Sequence, residues 1–129
     1  MQVHDSKKSH ILIASEIESE FEKLKEQLKP SRVVGFIEDE FKIENAKAVI
    51  AEAYISESST KYLVLAARNF NAVSQNSLLK VLEEPPRNIE FIIISPTKSN
   101  LLPTVRSRLP IIKGETLNTE IAVDLSLAR

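Results

Sequence analysis

Residues 62–94 read YLVLAARNFNAVSQNSLLKVLEEPPRNIEFIII, and the pattern of apolar residues in this stretch decides the fold class. Its two ends, residues 62–67 and 91–94, are continuous apolar runs of the length of a buried strand. The residues between them predict a helix that Pro85 and Pro86 must end. The apolar positions of that helix are Val73, Leu78, Leu79, Val81 and Leu82. Fully apolar strands that alternate with one-sided helices are typical of a parallel sheet covered on both faces.

The same alternation continues on both sides of this stretch. Further strand-like runs occupy residues 10–14, 33–37 and 109–112. The length of 129 residues is that of one domain. We therefore predict an α/β fold, a three-layer parallel sheet with helices on both faces.

Two further amphipathic helices are predicted upstream, over residues 17–28 and 43–54. Ser15 is the expected N-cap of the first, and Pro30 stops it. We expect the acidic residues 38–40 to form a turn and residues 69–71 to form a polar connection. Pro103 is expected in a short helical or turn segment.

The composition excludes several kinds of site. The chain has no cysteine, which excludes disulfides, cysteine-based zinc sites and thiol nucleophiles. Its two glycines, Gly35 and Gly114, are too far apart for either common glycine-rich phosphate loop. Neither His4 nor His10 has an acidic residue or a second histidine at ligand spacing, so both are expected to be structural.

The net charge of −1 gives no general case for binding nucleic acid or membranes, but the charges are unevenly distributed. Residues 1–60 hold eight basic and twelve acidic side chains, whereas residues 61–110 hold seven basic and three acidic ones. The basic half could meet phosphate or an acidic partner, or the two halves could simply be solvated faces. No apolar stretch has the length of a membrane span or follows a basic start as in a signal peptide, so we expect a cytoplasmic protein.

A phosphate site in such a fold would lie where the first strand meets the first helix, because helix N–H groups bind anions there. This turn, residues 14–18, holds Glu16 and Glu18 but neither glycine nor lysine. The strand at residues 62–65 runs into Ala66 and Ala67, which cannot bind magnesium or act as a base. We therefore expect no nucleotide, cofactor or metal ion.

Two charged pairs have less ordinary positions. Arg106 and Arg108 follow the fourth strand. An arginine held at the end of a helix or strand can stabilise phosphate charge on a neighbouring molecule. Such arginines also form ordinary ion pairs on protein surfaces. Glu83 and Glu84 lie near a helix C-terminus, where they oppose the helix dipole. Such an unfavourable local choice invites a functional explanation.

The residues around these pairs resemble a known family, the clamp-loader subunits of the AAA+ superfamily. Residues 76–86, NSLLKVLEEPP, resemble its N-A-L-L-K-x-L-E-E-P-P signature, and residues 91–95 resemble its sensor-1 strand. Residues 101–108, LLPTVRSR, are similar to the L-L-P-T-I-R-S-R-C segment that carries the arginine finger. Residues 43–47, IENAK, are similar to the I-D-Q-I-R start of an earlier helix. Residues 1–42 match only as a strand, a helix and a strand.

The chain lacks a phosphate loop after Ala14 and has Ala66 and Ala67 in place of an acidic pair. In both features it is similar to the delta-prime subunits of bacterial DNA polymerase III, which often cannot hydrolyse ATP. The resemblance implies a rigid stator that places an arginine finger, Arg108 with Ser107 beside it, in the ATP site of an adjacent motor subunit. The implied partners are the clamp-loader ATPase subunits and the delta subunit, the sliding clamp indirectly or weakly, and primer-template DNA through the assembled complex.

The chain also departs from the family pattern. Leu109 replaces the usual cysteine after the finger, and no cysteine is present to build the zinc module that bacterial relatives usually insert. Residues 1–113 are expected to form the AAA+ RecA-like domain. Residues 114–129, with a possible helix over 118–127, would lead toward a lid domain that this chain lacks.

The sequence is also compatible with two other functions. The chain could be an AAA+ ATPase that still binds nucleotide through a degenerate loop. It could also be an interaction module outside replication that kept the fold and lost the chemistry. Among the basic residues that could meet DNA, Arg68, Lys80 and Lys98 cannot be ranked.

Overall fold

The structure, a computed structural model, describes residues 7–114, over which strands and helices alternate. The strands are β1 (His10–Ile13), β2 (Arg32–Phe41), β3 (Lys61–Phe70), β4 (Ile89–Ser95) and β5 (Ile111–Lys113). The helices are α1 (Ile17–Leu28), α2 (Ile43–Ala53), α3 (Ala72–Glu83) and α4 (Pro103–Arg106), with a 3₁₀ turn at Lys98–Asn100. His4 and the helix predicted over residues 118–127 lie outside the described residues.

The five strands form one parallel sheet in the order β2-β3-β4-β1-β5. The connection from β1 to β2 runs toward one edge of the sheet, and the next three connections run toward the other. Because crossovers between parallel strands are right-handed, α1 lies on one face and α2, α3 and α4 lie on the opposite face. Two hydrophobic clusters follow this division, and the predicted α/β fold is confirmed.

The continuous apolar runs arise because both faces of the sheet are covered. Along β3, Val64 and Ala66 belong to the cluster beneath α1, whereas Leu63 and Leu65 belong to the cluster beneath the other helices. The residues of α1 that contact the sheet recur at helical spacing, as predicted. They are Ile17, Phe21, Leu24 and Leu28.

The expectation of a turn at residues 38–40 and a polar connection at residues 69–71 is wrong. Residues 38–40 continue β2, and Asn69 and Phe70 continue β3, so that only Asn71 remains between β3 and α3. Glu38 pairs with Ala67, and Glu40 pairs with Asn69. The polar residues are accommodated because β2 is an edge strand, whose side chains reach solvent while its backbone still bonds to β3.

Two local details of the helices also differ from the sequence pattern. The N-cap of α1 is Glu16 rather than Ser15, and the amide of Ala14, two residues earlier, still bonds to the carbonyl of Ser95. Tyr54 and Val73, which the periodicity assigns to apolar faces, are instead 62% and 61% exposed. Tyr54 lies beyond the last turn of α2 as its C-cap, where the direction of the chain changes.

Gly35 permits close packing of α1 on the edge strand. A Cβ atom at this position of β2 would lie 2.5 Å from Cζ of Phe21, in the middle of α1. The ring of Phe21 therefore occupies the space that any larger residue would need. One of the two glycines is thus a packing requirement of the fold.

Lys61, at the start of β3, is fully buried and is neutralised by residues at the end of α2 and beyond it. Its Nζ lies 2.8 Å from Oε2 of Glu52 and 3.7 Å from Oε2 of Glu57, and it donates a hydrogen bond to the carbonyl of Glu52. Arg32 of β2 lies 3.6 Å from the same Glu57. This cluster joins β2, α2 and β3 at the amino edge of the sheet.

We expect Lys61→Met to destabilise the domain by about 2–4 kcal/mol, because the variant leaves two mostly buried carboxylates short of a cation. Urea unfolding monitored by circular dichroism measures the change. Lys47→Met on the exposed face of α2 is the matched control, and we expect it to cost less than about 0.5 kcal/mol. Equal unfolding midpoints for the two variants would contradict the structural role of the Lys61 cluster.

Candidate functional site

The carboxyl edge of the sheet is where a parallel α/β fold ordinarily binds phosphate. Here the chain leaves β1 through Ala14 and Ser15 and enters α1, whose first turn contains Glu18 and Glu20. No side chain caps the helix. The carboxylates at this helix start interact favourably with its dipole, but they repel phosphate. The first turn of α1 therefore carries two carboxylates and no basic side chain.

Ala66 and Ala67 lie inside β3 and are both fully buried, one in each hydrophobic cluster. The first exposed side chain that follows them is Arg68. A cation thus directly follows the two positions at which a magnesium-binding carboxylate would be needed. Nothing in this position of β3 can hold a metal ion.

Arg68 connects three elements at this edge. Its Nη2 donates to both carboxylate oxygens of Glu18 in α1, at 2.9 and 2.8 Å, and its Nη1 donates to Oδ1 of Asp39 in β2, at 3.0 Å. The hydrogen bond from Arg68 lowers the pKa of Glu18, and the same contact raises the pKa of Arg68. The guanidinium is therefore already occupied by two carboxylates of its own chain.

We expect Arg68→Gln to return the pKa of Glu18 upward to its ordinary range, because the charged hydrogen bond that lowers it is removed. The folded-state pKa of Glu18 is depressed, so its contribution to stability is present above the unfolded-state pKa and is lost as the pH falls through the folded value. The variant should therefore lose less stability on acidification than the parent does. Carboxyl-carbon NMR titration of Glu18 measures the shift; Lys47→Gln is the control, and an unchanged midpoint in Arg68→Gln would refute the assignment.

Arg108 lies near the amino edge of the sheet, opposite the edge that holds Arg68. The segment after β4 crosses the α3 face of the sheet, and Pro110 bonds through its carbonyl to the amide of Ile11 at the start of β1. Val105 and Leu109 are buried in the cluster beneath α3 and anchor this segment. Arg108 is thus fixed by its neighbours in the chain at a position remote from the β1–α1 turn.

The residues of the predicted finger segment differ in their surroundings. Arg106 is half-buried, and its Nε is a buried donor that has no partner within residues 7–114. Arg108 is 29% exposed in its side chain; its Nη1 donates to the carbonyl of Thr104 at 2.8 Å, and its Nη2 lies 3.5 Å from Oε1 of Glu83. Ser107 is the C-cap of α4, and its hydroxyl donates to the same carbonyl of Thr104 at 3.0 Å. Ser107 and Arg108 therefore share the carbonyl of Thr104 as an acceptor.

Gln75 holds the beginning of this segment in place. It is buried in the first turn of α3, where its Nε2 donates to the carbonyls of Phe70 and Asn100, at 3.0 and 3.1 Å. Its Oε1 accepts a 2.7 Å hydrogen bond from the amide of Leu102, the N-cap residue of α4. Asn100 in turn donates to the carbonyl of Arg68 at 2.7 Å. This network joins the ends of β3 and β4 to the start of α4.

We expect Gln75→Ala to destabilise the domain by about 1–3 kcal/mol, because it leaves the amide of Leu102 and two carbonyls without their partner. Hydrogen exchange at Leu102, which reports local opening of this segment, should be faster in the variant. Asn76→Ala, at the exposed neighbouring position, is the control and should preserve the parent exchange rate. Unchanged protection of Leu102 in Gln75→Ala would show that the network does not hold the segment.

Other positions raised by the sequence do not add to a site. His10 is buried, with Nδ1 2.7 Å from the carbonyl of Lys8. Lys80 and Lys98 are exposed.

No group of three potential metal ligands occurs between residues 7 and 114, and none of the helices there is long and apolar enough to cross a membrane. A cavity of about 510 Å³ lies at the end of α2, lined by Tyr54, Ile55 and Arg87 among others.

The sequence pattern predicts the arginine segment as a candidate site but does not reveal the residues that position it. Gln75 occupies a helix position at which the apolar pattern is simply interrupted, and Asn100 lies in a polar turn. The ion pairs of Arg68 and Arg108 join residues 50 and 25 positions apart, so no local pattern could reveal them. The only advance indication was the unfavourable position of Glu83 at the end of its helix.

The chain is similar to known proteins in sequence. The sequence model of the family described as DNA polymerase III, delta subunit, matches residues 4–118. A stretch of 82 residues is 30% identical to the DNA polymerase III subunit gamma of Buchnera aphidicola subsp. Schizaphis graminum, covering 61% of the chain and 23% of that relative.

A solved structure shares the fold. The crystal structure of a DNA polymerase III, gamma subunit-related protein from Thermotoga maritima superposes with a TM-score of 0.69 over 92% of the chain, at 20% sequence identity. The chain spans less than half of that protein and less than a quarter of the Buchnera subunit. The likeness to the Thermotoga protein is a likeness of fold.

Proposed function

The chain belongs to the DNA polymerase III delta subunit family of clamp-loader-type subunits, and from this premise we propose that it acts as a stator that does not hydrolyse ATP. In this proposal the chain supports loading of the sliding clamp onto primed DNA. Its own contribution to chemistry is Arg108, supplied as an arginine finger to the ATP site of a neighbouring subunit. Ser107 supports the turn that carries this arginine.

The observation that carries the proposal is the separation of Arg108 from the β1–α1 turn of its own chain. An arginine near the amino edge of the sheet cannot serve a phosphate at the carboxyl edge of the same sheet, but it can face an adjoining molecule. A guanidinium offers up to five N–H donors in a planar fork, which suits phosphate oxygens that gain charge in the transition state. The position thus favours action on a neighbour.

The carboxyl edge supports the absence of hydrolysis by this chain. Glu18, Asp39 and Arg68 together carry a net negative charge, which disfavours phosphate, and Ala66 and Ala67 offer no magnesium ligand. Such a site would resemble the delta-prime type of subunit rather than the gamma subunits for which the matched proteins are named. We accordingly propose the delta-prime role for this chain.

The proposed partners follow from the family. They are the clamp-loader ATPase subunits and the delta subunit, the sliding clamp indirectly or weakly, and primer-template DNA through the assembled complex. We propose that residues 1–113 form the AAA+ domain of this assembly and that the following segment leads toward a lid domain. A protein of this kind would act in the cytoplasm.

We expect Arg108→Ala, in a complex reconstituted with its motor subunits, to lower DNA-dependent ATP turnover at the neighbouring site at least about a hundredfold, a conservative figure for an arginine supplied in trans. Arg108→Lys should recover little of the rate, because lysine keeps the charge but loses the planar fork. Steady-state phosphate release measures both. Arg87→Ala, which removes an exposed arginine elsewhere, is the control, and a parental rate in Arg108→Ala would overturn the assignment.

A second possibility, an ATPase that still binds nucleotide, is separated from the stator by calorimetry. The purified chain titrated with magnesium-ATP should give no binding heat at micromolar concentrations. Tight binding of magnesium-ATP would contradict the stator proposal and favour this alternative. Failure of the chain to co-purify with clamp-loader subunits would instead favour an interaction module outside replication.

A further inference from the structure

Glu83 is the last residue of α3, and its carboxylate lies beside the guanidinium of Arg108. The distance from Nη2 of Arg108 to Oε1 of Glu83 is 3.5 Å, and the side chains are 29% and 63% exposed. At the C-terminus of a helix an acidic side chain meets the negative end of the dipole. A nearby cation offsets this unfavourable placement, so the pair accounts for the position of Glu83.

The guanidinium of Arg108 is folded back onto its own chain. Nη1 donates to the carbonyl of Thr104 at 2.8 Å, and Nη2 faces Glu83, so both terminal nitrogens point toward acceptors of this domain. A phosphate of a neighbouring molecule would have to draw the guanidinium away from both acceptors. It would also meet the negative charge of Glu83 at the same place, and like charges at this distance repel each other.

We propose that Glu83 restrains Arg108 in a retracted position, as an internal substitute for the phosphate that Arg108 meets in the neighbouring subunit. This inference rests on the proposed function of Arg108. Glu83 is a positioning residue: it touches no reacting atom and acts only through the guanidinium. The restraint keeps the arginine folded back until a competing phosphate of higher charge is presented, because ligands shift such a two-position equilibrium by their differential affinity.

Helix α3 makes this restraint possible by contacting the arginine segment at both of its ends. Gln75 in the first turn fixes the backbone of Leu102, while Glu83 in the last turn faces the side chain of Arg108. The backbone of the segment is therefore held by a buried amide, whereas the side chain is held by a part-exposed ion pair and a hydrogen bond to the carbonyl of Thr104. Of the two contacts that α3 makes, the ion pair with Glu83 is the one weak enough to be exchanged for a partner's phosphate.

The test is Glu83→Gln in the reconstituted complex. Removing the carboxylate should raise the kcat of ATP turnover at the neighbouring site about two- to fivefold, the range expected for a part-exposed ion pair, with the KM for ATP little changed. Glu84→Gln is the matched control, since Glu84 is the adjacent exposed acid and forms no ion pair with residues 7–114. The control should keep the parental kcat.

A double variant shows whether Glu83 acts through Arg108. Glu83→Gln combined with Arg108→Ala should turn over ATP at the rate of Arg108→Ala alone. A purely structural role for Glu83 would lower kcat and the melting temperature together, and this outcome would overturn the inference. Equal kcat values for Glu83→Gln and Glu84→Gln would overturn it as well.

The same experiment separates this inference from the proposed function. If Arg108→Ala retains the parental rate, the finger assignment itself fails. If Arg108→Ala is slow while Glu83→Gln matches the parent, the finger stands and only the restraint by Glu83 is wrong. Arginine side-chain NMR of the isolated chain gives an independent readout: the Arg108 resonances should shift in Glu83→Gln and stay in place in Glu84→Gln.

Discussion

The packing of α3 in the core on its face of the sheet constrains the position of the arginine segment after β4. Leu78, Val81 and Leu82 are buried in the cluster on this face of the sheet, so the helix cannot turn or slide without opening the core. Its first turn then places Gln75 at the carboxyl edge, and its last turn places Glu83 toward the amino edge. The arginine segment lies between these two contacts.

Parallel strand order explains why a single segment can pass from one edge of the sheet to the other. A connection between parallel strands must start at the carboxyl edge and return to the amino edge, because both strands run in the same direction. The residues after β4 therefore cross the sheet beside α3 before β5 begins. This crossing separates Arg108 from the β1–α1 turn and allows the two edges to carry different chemistry.

The chemistry of the two edges is complementary in the proposed assembly. At the carboxyl edge, Arg68 is paired with Glu18 and Asp39, two carboxylates of its own chain. Near the amino edge, Arg108 has a weaker and part-exposed partner in Glu83. This contrast between the two edges supports the proposal that Arg108 assists a neighbouring molecule.

Much of this protein is determined by local sequence pattern. The apolar runs and helical spacings define the alternation of strands and helices, the two separated glycines exclude a phosphate loop, and the LLPTVRSR segment predicts Arg108 as a candidate site residue. These features depend on neighbours within a few residues, which is the range that periodicity can report. Only the tertiary structure decided three other features: the full lengths of β2 and β3, the pairing of Arg68 with Glu18, and the contact between Glu83 and Arg108. Each of them depends on backbone or charged groups that the sheet brings together from distant parts of the chain. Contacts between such distant groups produce no periodic pattern in the sequence.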